Sequence, residues 1–212
     1  MGIVRTRWVG LVALLAAEAM NLLDATVVQV IGPTMHAEFG GPAATVQWFS
    51  AAYTLPFALL LITGGRLGDA FGRRRVFLIG VSVFAVASVA CAVAPSPGLL
   101  IASRVVQGAA AAAIIPQTFG LIRAMFVGAE LSRALGCIGP VMGLAAICGP
   151  VSGAAVTQAD PAGLAWRAAF LINVPSRWRC SPWVPPSSRT WPSTDRGSTC
   201  RARCWPSWAR RW

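Results

Sequence analysis

The stretch that decides the fold reads Gly-Gly-Arg-Leu-Gly-Asp-Ala-Phe-Gly-Arg-Arg-Arg at residues 64–75, between two long uncharged segments. Its four glycines let two helix ends approach closely and turn tightly. Asp69 lies among four Arg, so it could pair with one of them or cap the next helix, where the helix dipole favours a carboxylate. A plain cationic anchor would need neither the acid nor the glycines. The pattern therefore favours a structured loop between two helices.

Long apolar segments lie on both sides of this loop. Of the 212 residues, 56% are hydrophobic and only 12% are charged, whereas soluble domains carry roughly 25% charged residues. The uncharged segments cover about 8–31, 46–63, 76–94, 98–122 and 134–157. Each is near the ~20 residues that a helix needs to cross a bilayer, and none shows a polar stripe. We predict an all-α membrane protein rather than a soluble bundle of five buried helices.

The arginines outside these segments indicate the orientation of the chain. If the N-terminus is cytoplasmic, eight Arg precede residue 176 on the cytoplasmic side, and only Arg167 lies outside. Such an excess on one side is the positive-inside bias of membrane proteins. The first segment contains Glu18 and Asp24 and is too long for the apolar region of a cleaved signal peptide. We therefore expect a cytoplasmic N-terminus and an uncleaved first span.

Residues 176–212 differ sharply in composition from the rest of the chain. They hold eight of the 18 Arg and six of the nine Trp, with one Val and no Leu, Ile, Met or Phe. Such a segment can form neither a span nor a core, so we expect a disordered tail after a transmembrane bundle at 1–175. The absence of Lys and this Arg/Trp/Pro-rich tail also fit a G+C-rich message read in a shifted frame after about Pro175.

The basic composition does not indicate a nucleic-acid-binding protein, because ten of the 18 Arg belong to the spans and their loops. Cys200 and Cys204 lack the further ligands that a zinc site needs. The sequence contains no nucleophile–base pair and no phosphate-binding glycine loop. We therefore expect no enzyme activity, no cofactor, no metal and no nucleic-acid partner.

The loop at 64–75 resembles the signature between helices 2 and 3 of the major facilitator superfamily of transporters. The matching positions are Gly65, Leu67, Asp69, Gly72, Arg73 and Arg74. Further motifs resemble those of the 14-helix drug:proton antiporters of the EmrB/QacA type, in the same order. They are Leu23-Asp24-x-Thr26, Trp48-x4-Tyr53, Arg104-x-x-Gln107-Gly108, Gly149-Pro150-x-x-Gly153 and Trp166-Arg167-x-x-Phe170. The resemblance covers residues 8–175. It implies the N-terminal six-helix half of that fold, with five spans and the start of a sixth.

Polar side chains inside the predicted spans have a physical reason to matter. An ionised Asp24 deep in a span is costly unless it is paired, and burial favours its protonated form. Asp24 could therefore bind and release a proton, or it could be a neutral packing residue. Arg104 lies roughly 9 Å into its helix and needs a partner or water. The resemblance implies a role in proton coupling, and snorkelling to the interface is the alternative. Gln107 could hydrogen-bond across helices.

Other residues receive roles of gating and packing. The resemblance implies that the loop containing Asp69 and Arg73 latches the cytoplasmic gate, and its further members are Gly65, Gly72 and Arg74. The small residues of the antiporter motif allow close, bendable helix packing; they are Gly149, Pro150 and Gly153. At ~100° per residue, Glu18 is expected to face away from Asp24. We expect it to snorkel or pair near the cytoplasmic end.

The resemblance implies proton-driven efflux of a small, drug-like molecule by a full-length transporter. Its partners would be the lipid bilayer, protons and an unidentified substrate, in the plasma membrane of a bacterium with a G+C-rich genome. Transporters of this kind rock two six-helix halves against each other. The second half is missing from this chain, so we predict no transport by the chain alone. The alternative is a truncated membrane protein that does not transport, or a half-bundle that associates with another membrane chain.

Overall fold

The computed structural model describes residues 2–42, 44–159 and 166–171, and every regular element in them is a helix. The helices are α1 (Gly2–Phe39), α2 (Ala44–Phe71), α3 (Arg73–Ala92), α4 (Pro97–Met125), α5 (Ala129–Gly136), α6 (Ile138–Ala159) and α7 (Arg167–Leu171). Five segments are long and apolar enough to cross a membrane: α1 to α4, and α5 with α6. The predicted class is confirmed, and α7 is the start of the sixth helix. The tail predicted at 176–212 lies outside the described residues.

Several helices extend beyond the predicted spans. The first span was predicted at 8–31, but α1 continues to Phe39 and passes through Pro33. Charged and polar residues bound the apolar segment, whereas the hydrogen-bonded helix runs on beyond it. The fifth span was predicted as one unit at 134–157, yet α5 ends at Gly136 and α6 begins at Ile138. Two backbone hydrogen bonds at Cys137 keep the helices continuous. The Cys137 amide donates to the Arg133 carbonyl at 3.2 Å, and the Val141 amide donates to the Cys137 carbonyl at 3.3 Å.

The expected loop at 64–75 is almost entirely helical, which corrects the prediction. Helix α2 runs to Phe71 and α3 begins at Arg73, so Gly72 alone departs from helical geometry, with φ of 93°. No side chain caps α3, so Asp69 does not have the capping role considered for it. The other glycines lie inside α2, where Gly64 and Gly68 are buried. They permit close packing against α4 rather than a turn.

Helix α4 is the centre of the bundle, because α2 and α3 both pack along it, while α1 packs mainly against α6. The approach of α2 to α4 is close enough to require glycine. A Cβ at Gly64 would collide with the Ala112 carbonyl, and one at Gly108 would collide with the Tyr53 carbonyl. Contact between backbones of this kind is typical of membrane helices with small residues at their interface.

Two apolar clusters fill the interior on either side of a polar layer. One cluster includes Leu14, Phe77 and Ile114, and the other includes Phe49 and Trp166. Along α1 the buried polar residues from Glu18 to Asp24, and along α4 those from Ser103 to Gln107, lie between residues of the two clusters. Two further buried polar residues of α4, Gln117 and Thr118, lie among residues of the first cluster.

Candidate functional site

The centre of the polar layer is an ion pair between α1 and α4. Nη1 of Arg104 donates to Oδ2 of Asp24, and the two side chains are only 1% and 2% exposed. The proposed alternative for Arg104, snorkelling to the interface, is wrong because the guanidinium is enclosed by the bundle and paired there. The pair joins two helices through residues that lie 80 positions apart in the sequence.

Four further groups surround the Arg104 guanidinium. Nη1 also donates to Oε1 of Gln107 at 3.0 Å, and Nε donates to the Phe49 carbonyl at 3.3 Å. The guanidinium carbon lies 4.6 Å from the centre of the Tyr53 ring and 5.9 Å from that of Phe170. Such contacts with aromatic faces are favourable for a desolvated cation. Arg104 therefore contacts α1, α2 and α7 as well as its own helix.

Gln107 extends this network to α3, as its expected role across helices requires. Its Nε2 donates to Oγ of Ser88 at 2.8 Å and lies 3.5 Å from Oδ1 of Asp24. The Cys91 thiol donates to its Oε1 at 3.3 Å. Sequence reasoning missed Ser88 and the Phe49 carbonyl as members of the site. A serine inside an apolar span is a weak signal, and a backbone carbonyl gives none.

Glu18 is a second buried carboxyl, and the expectation that it snorkels is wrong. The residue is 3% exposed, and the Thr118 hydroxyl of α4 lies 3.4 Å from its Oε2. Glu18 contacts α4 through Thr118, and Asp24 contacts the same helix through Arg104. The expected angle between the two side chains around α1 therefore does not place them against different helices.

The adjoining ends of α2 and α3 carry the second ion pair. Nη2 of Arg73 donates to Oδ1 of Asp69 at 2.9 Å, so Asp69 pairs with an Arg, the other role considered for it. The Arg73 side chain also lies over Gly120 of α4, where a Cβ would collide with it. One turn before Asp69 along α2, Gly65 lies against Pro116 of α4 at a Cβ distance of 3.7 Å. Arg74 lies in the first turn of α3.

Small residues of α6 pack against the helix that carries Asp24. A Cβ at Gly149 would collide with the Thr26 side chain, and one at Gly153 would lie 3.4 Å from Val27. Pro150 lies inside α6 without ending it. The close packing expected for this motif is therefore present, and its partner is α1.

A third set of charged contacts ties α7 to the end of α1. The two carboxylate oxygens of Glu38 bind Arg167, with Nη2 at 2.7 Å and Nη1 at 3.0 Å. The Trp166 indole N–H donates to the same carboxylate at 2.6 Å. This cluster orients the start of α7, whose Phe170 ring lies near Arg104. Across the three described ranges, no group of three or more His, Cys, Asp or Glu could hold a metal ion.

The arrangement of these helices is that of a known class of membrane transporters. A crystal structure of a bacterial homolog of the human lysosomal transporter Spinster, inward-facing and unoccupied, superposes with a TM-score of 0.73. The match has 21% sequence identity and covers 85% of this chain and 44% of that chain. At this identity the likeness is one of fold.

The family follows from the sequence match. The family model described as Major Facilitator Superfamily matches residues 14–176, so the chain belongs to the major facilitator superfamily. This confirms the family resemblance and places the protein among membrane transporters rather than enzymes. It is an integral membrane protein, with five segments long and apolar enough to cross the bilayer in its described part.

Two curated relatives carry the names of antibiotic transport or resistance proteins. The "Probable actinorhodin transporter" of Streptomyces coelicolor is 47% identical over 169 residues, covering 80% of this chain and 29% of the relative. The puromycin resistance protein of Streptomyces alboniger is 41% identical over 170 residues, covering 80% of this chain and 33% of the relative. The chain thus spans a third or less of the length of these two relatives.

Proposed function

We propose that this chain is the N-terminal half of a proton-coupled exporter of small, drug-like molecules in a bacterial plasma membrane, with its N-terminus in the cytoplasm. The observation that carries the proposal is the buried Asp24–Arg104 pair between α1 and α4. Ionisable groups inside a membrane bundle are costly and mark ion or proton pathways. The names of the curated relatives support export as the direction of transport.

Proton binding at Asp24 would change the contact between two helices. The ionised carboxylate is matched by the Arg104 guanidinium, and Gln107 lies between the pair and α3. A proton on Asp24 removes the charge that Arg104 neutralises, so Arg104 keeps its bonds to the Gln107 and Phe49 oxygens but faces a neutral carboxyl in place of a carboxylate. Binding and release of one proton therefore weaken and restore the link between α1 and α4.

The Asp69–Arg73 pair has the geometry of a latch at the cytoplasmic end. It fixes Arg73 over Gly120, so the ends of α2 and α3 are held against α4. Gly65 and Gly72 supply the close approach and the turn that this arrangement requires. We assign to this cluster, with Arg74, the closing of the cytoplasmic gate.

We further propose that the chain does not transport by itself. A rocking mechanism needs a second half against which the first can move. Rows of large apolar side chains are exposed along α2 and α6, among them Leu59, Ile62 and Ile147. These faces can contact lipid or another membrane chain, and the second candidate function is a half-bundle that associates with such a chain.

Dye efflux from membrane vesicles driven by a pH gradient tests these proposals. We expect no efflux with this chain alone, and efflux when it is co-expressed with the C-terminal remainder of the actinorhodin transporter relative. In that pair, Asp24→Asn should abolish the dependence on the pH gradient, and Glu130→Gln, an exposed carboxyl in α5, should leave it unchanged.

Three results would contradict these proposals. Gradient-driven efflux by the chain alone would refute the need for a second half. Gradient dependence that persists in Asp24→Asn would refute its role in proton coupling. Chemical crosslinking in the intact membrane before purification tests the second candidate, since a half-bundle that associates should give a defined complex with its membrane partner and a truncated relic should give none.

A further inference from the structure

Three charged side chains are buried in the described part of the bundle: Glu18, Asp24 and Arg104. With both carboxyls ionised, this set would carry one uncompensated negative charge inside an apolar bundle. An isolated buried charge is strongly unfavourable, and such groups neutralise instead. One bound proton makes the set neutral, so the question is which carboxyl binds it.

Asp24 has the better environment for an ionised carboxylate. The Arg104 guanidinium donates to its Oδ2, and the Gln107 amide lies 3.5 Å from its Oδ1. A charge-assisted bond of this kind stabilises the ionised form. The pair with Arg104 therefore leaves the proton to the other carboxyl.

Glu18 has no such compensation among residues 2–42, 44–159 and 166–171, where no cation forms an ion pair with it. Its hydrogen-bonding neighbour is the Thr118 hydroxyl at 3.4 Å, which lies closer, at 3.2 Å, to the Ile114 carbonyl. A hydroxyl has one hydrogen to donate. When Thr118 gives that hydrogen to Ile114, its oxygen can only accept from Glu18, which requires a protonated carboxyl.

Asn21 lies between the two carboxyls on the same helix. It is 4% exposed, and its Nδ2 has no acceptor in the described structure. An ionised Glu18 one turn away would offer such an acceptor, since residues three apart are neighbours on a helix surface. In the described structure Asn21 therefore gives Glu18 no hydrogen bond that would stabilise an ionised carboxylate.

We propose that Glu18 is a second proton-binding carboxyl of the bundle and holds a proton while Asp24 is paired with Arg104. The proton comes from the aqueous phase and forms one O–H bond on the carboxylate, and no other bond changes. The other titratable groups that face this site are Tyr53 of α2 and Arg104 of α4, besides Asp24 on α1 itself. The inference deepens the proposed function, because it adds a second titrating group to the coupling site.

Infrared difference spectroscopy of the purified 212-residue chain in lipid vesicles reads the protonation of Glu18 directly. At neutral pH we expect a carboxylic-acid C=O band that shifts in heavy water. Glu18→Gln should remove this band, whereas Thr118→Val should retain it at a shifted frequency. Glu130→Gln is the matched control and should also retain it. The measurement needs no transport, so a failure of the proposed export function would leave this result standing.

The outcomes are distinct. A band of unchanged intensity in Glu18→Gln, with native helix content by circular dichroism, overturns the proposal. If Glu18→Gln does not fold, Thr118→Val decides instead. Loss of the Thr118 hydroxyl should move the C=O band to higher frequency, since the protonated carboxyl loses its hydrogen-bond acceptor. A band that neither moves nor changes in Thr118→Val overturns the assignment to Glu18.

Discussion

Two Asp–Arg pairs in this molecule have the same chemistry and opposite surroundings. Asp24 and Arg104 are 2% and 1% exposed and lie 80 residues apart in sequence, whereas Asp69 and Arg73 are 67% and 45% exposed and lie four residues apart, on either side of the junction between α2 and α3. The environment of each pair, rather than the pairing itself, therefore decides what the contact does. The first pair holds two helices together at mid-depth. The second positions one side chain at the exposed junction of α2 and α3.

The difference in surroundings predicts a difference in energy. Removing one partner of a buried pair leaves an uncompensated charge and costs about 3–5 kcal/mol. Exposed pairs separated by one helical turn contribute only about 0.3–0.5 kcal/mol and are weakened by salt. Substitutions at the two pairs should therefore differ in effect by roughly tenfold in free energy.

The largest effect is expected for Arg104→Ala. It leaves the Asp24 carboxylate buried without a cation, so the free energy of unfolding should fall by about 3–5 kcal/mol. Reversible denaturation of the purified chain in detergent micelles measures this change. Arg123→Ala, an exposed arginine on the same helix, is the matched control and should stay within about 0.5 kcal/mol of the parent.

Asp24→Asn combined with Arg104→Ala sharpens this test. If the loss arises from an uncompensated carboxylate, the double variant should be more stable than Arg104→Ala alone. Equal stability of the single and double variants would show that lost packing of the Arg104 side chain, rather than charge, causes the effect.

An intermediate effect is expected from a glycine beside each pair. A Cβ at Gly108 meets the Tyr53 backbone carbonyl, while one at Gly120 meets only the Arg73 side chain. Backbone cannot move aside as a flexible side chain can, so Gly108→Ala should destabilise by about 1–3 kcal/mol and Gly120→Ala by less. The same denaturation assay ranks the two variants. An equal loss in both would contradict the contrast between a rigid interior and an adaptable surface.

The smallest effect is expected for Asp69→Asn. Loss of the exposed pair should cost about 0.2–1 kcal/mol at low salt, and the cost should vanish at high ionic strength because screening has already weakened the pair. Thermal unfolding at two salt concentrations measures both values. A large loss that does not depend on salt would place this pair in the same class as Asp24–Arg104.

Much of the fold was predictable because apolar length and charge position are local properties of the sequence. The five spans and the pairing of Asp69 with a neighbouring Arg follow from such properties. The helical form of residues 64–71 could not be predicted in this way. Glycine permits both a turn and a close helix contact, and only the position of α4 shows that Gly64 serves the second.

The site was predictable residue by residue, but its connections were not. Asp24, Arg104 and Gln107 stand out because polar groups inside a span need partners. That Asp24 and Arg104 are partners of each other depends on how α1 and α4 cross. The same crossing places Glu18 against Thr118, which no count of residues along α1 reveals. The spacing of residues along one helix shows which side chains share a face. The helices packed around it decide which of those faces are buried.

The single non-helical residue between α2 and α3 has a mechanical consequence. Gly72 is the whole connection, and its φ of 93° is one that residues with a Cβ rarely adopt. Because the connection is a single residue, a tilt of this end of α2 must carry the start of α3 with it. Arg73 would then move across Gly120 and displace that end of α4. Arg104 lies towards the other end of the same helix. The two ion pairs therefore contact opposite ends of α4, and a movement of this helix would affect both of them.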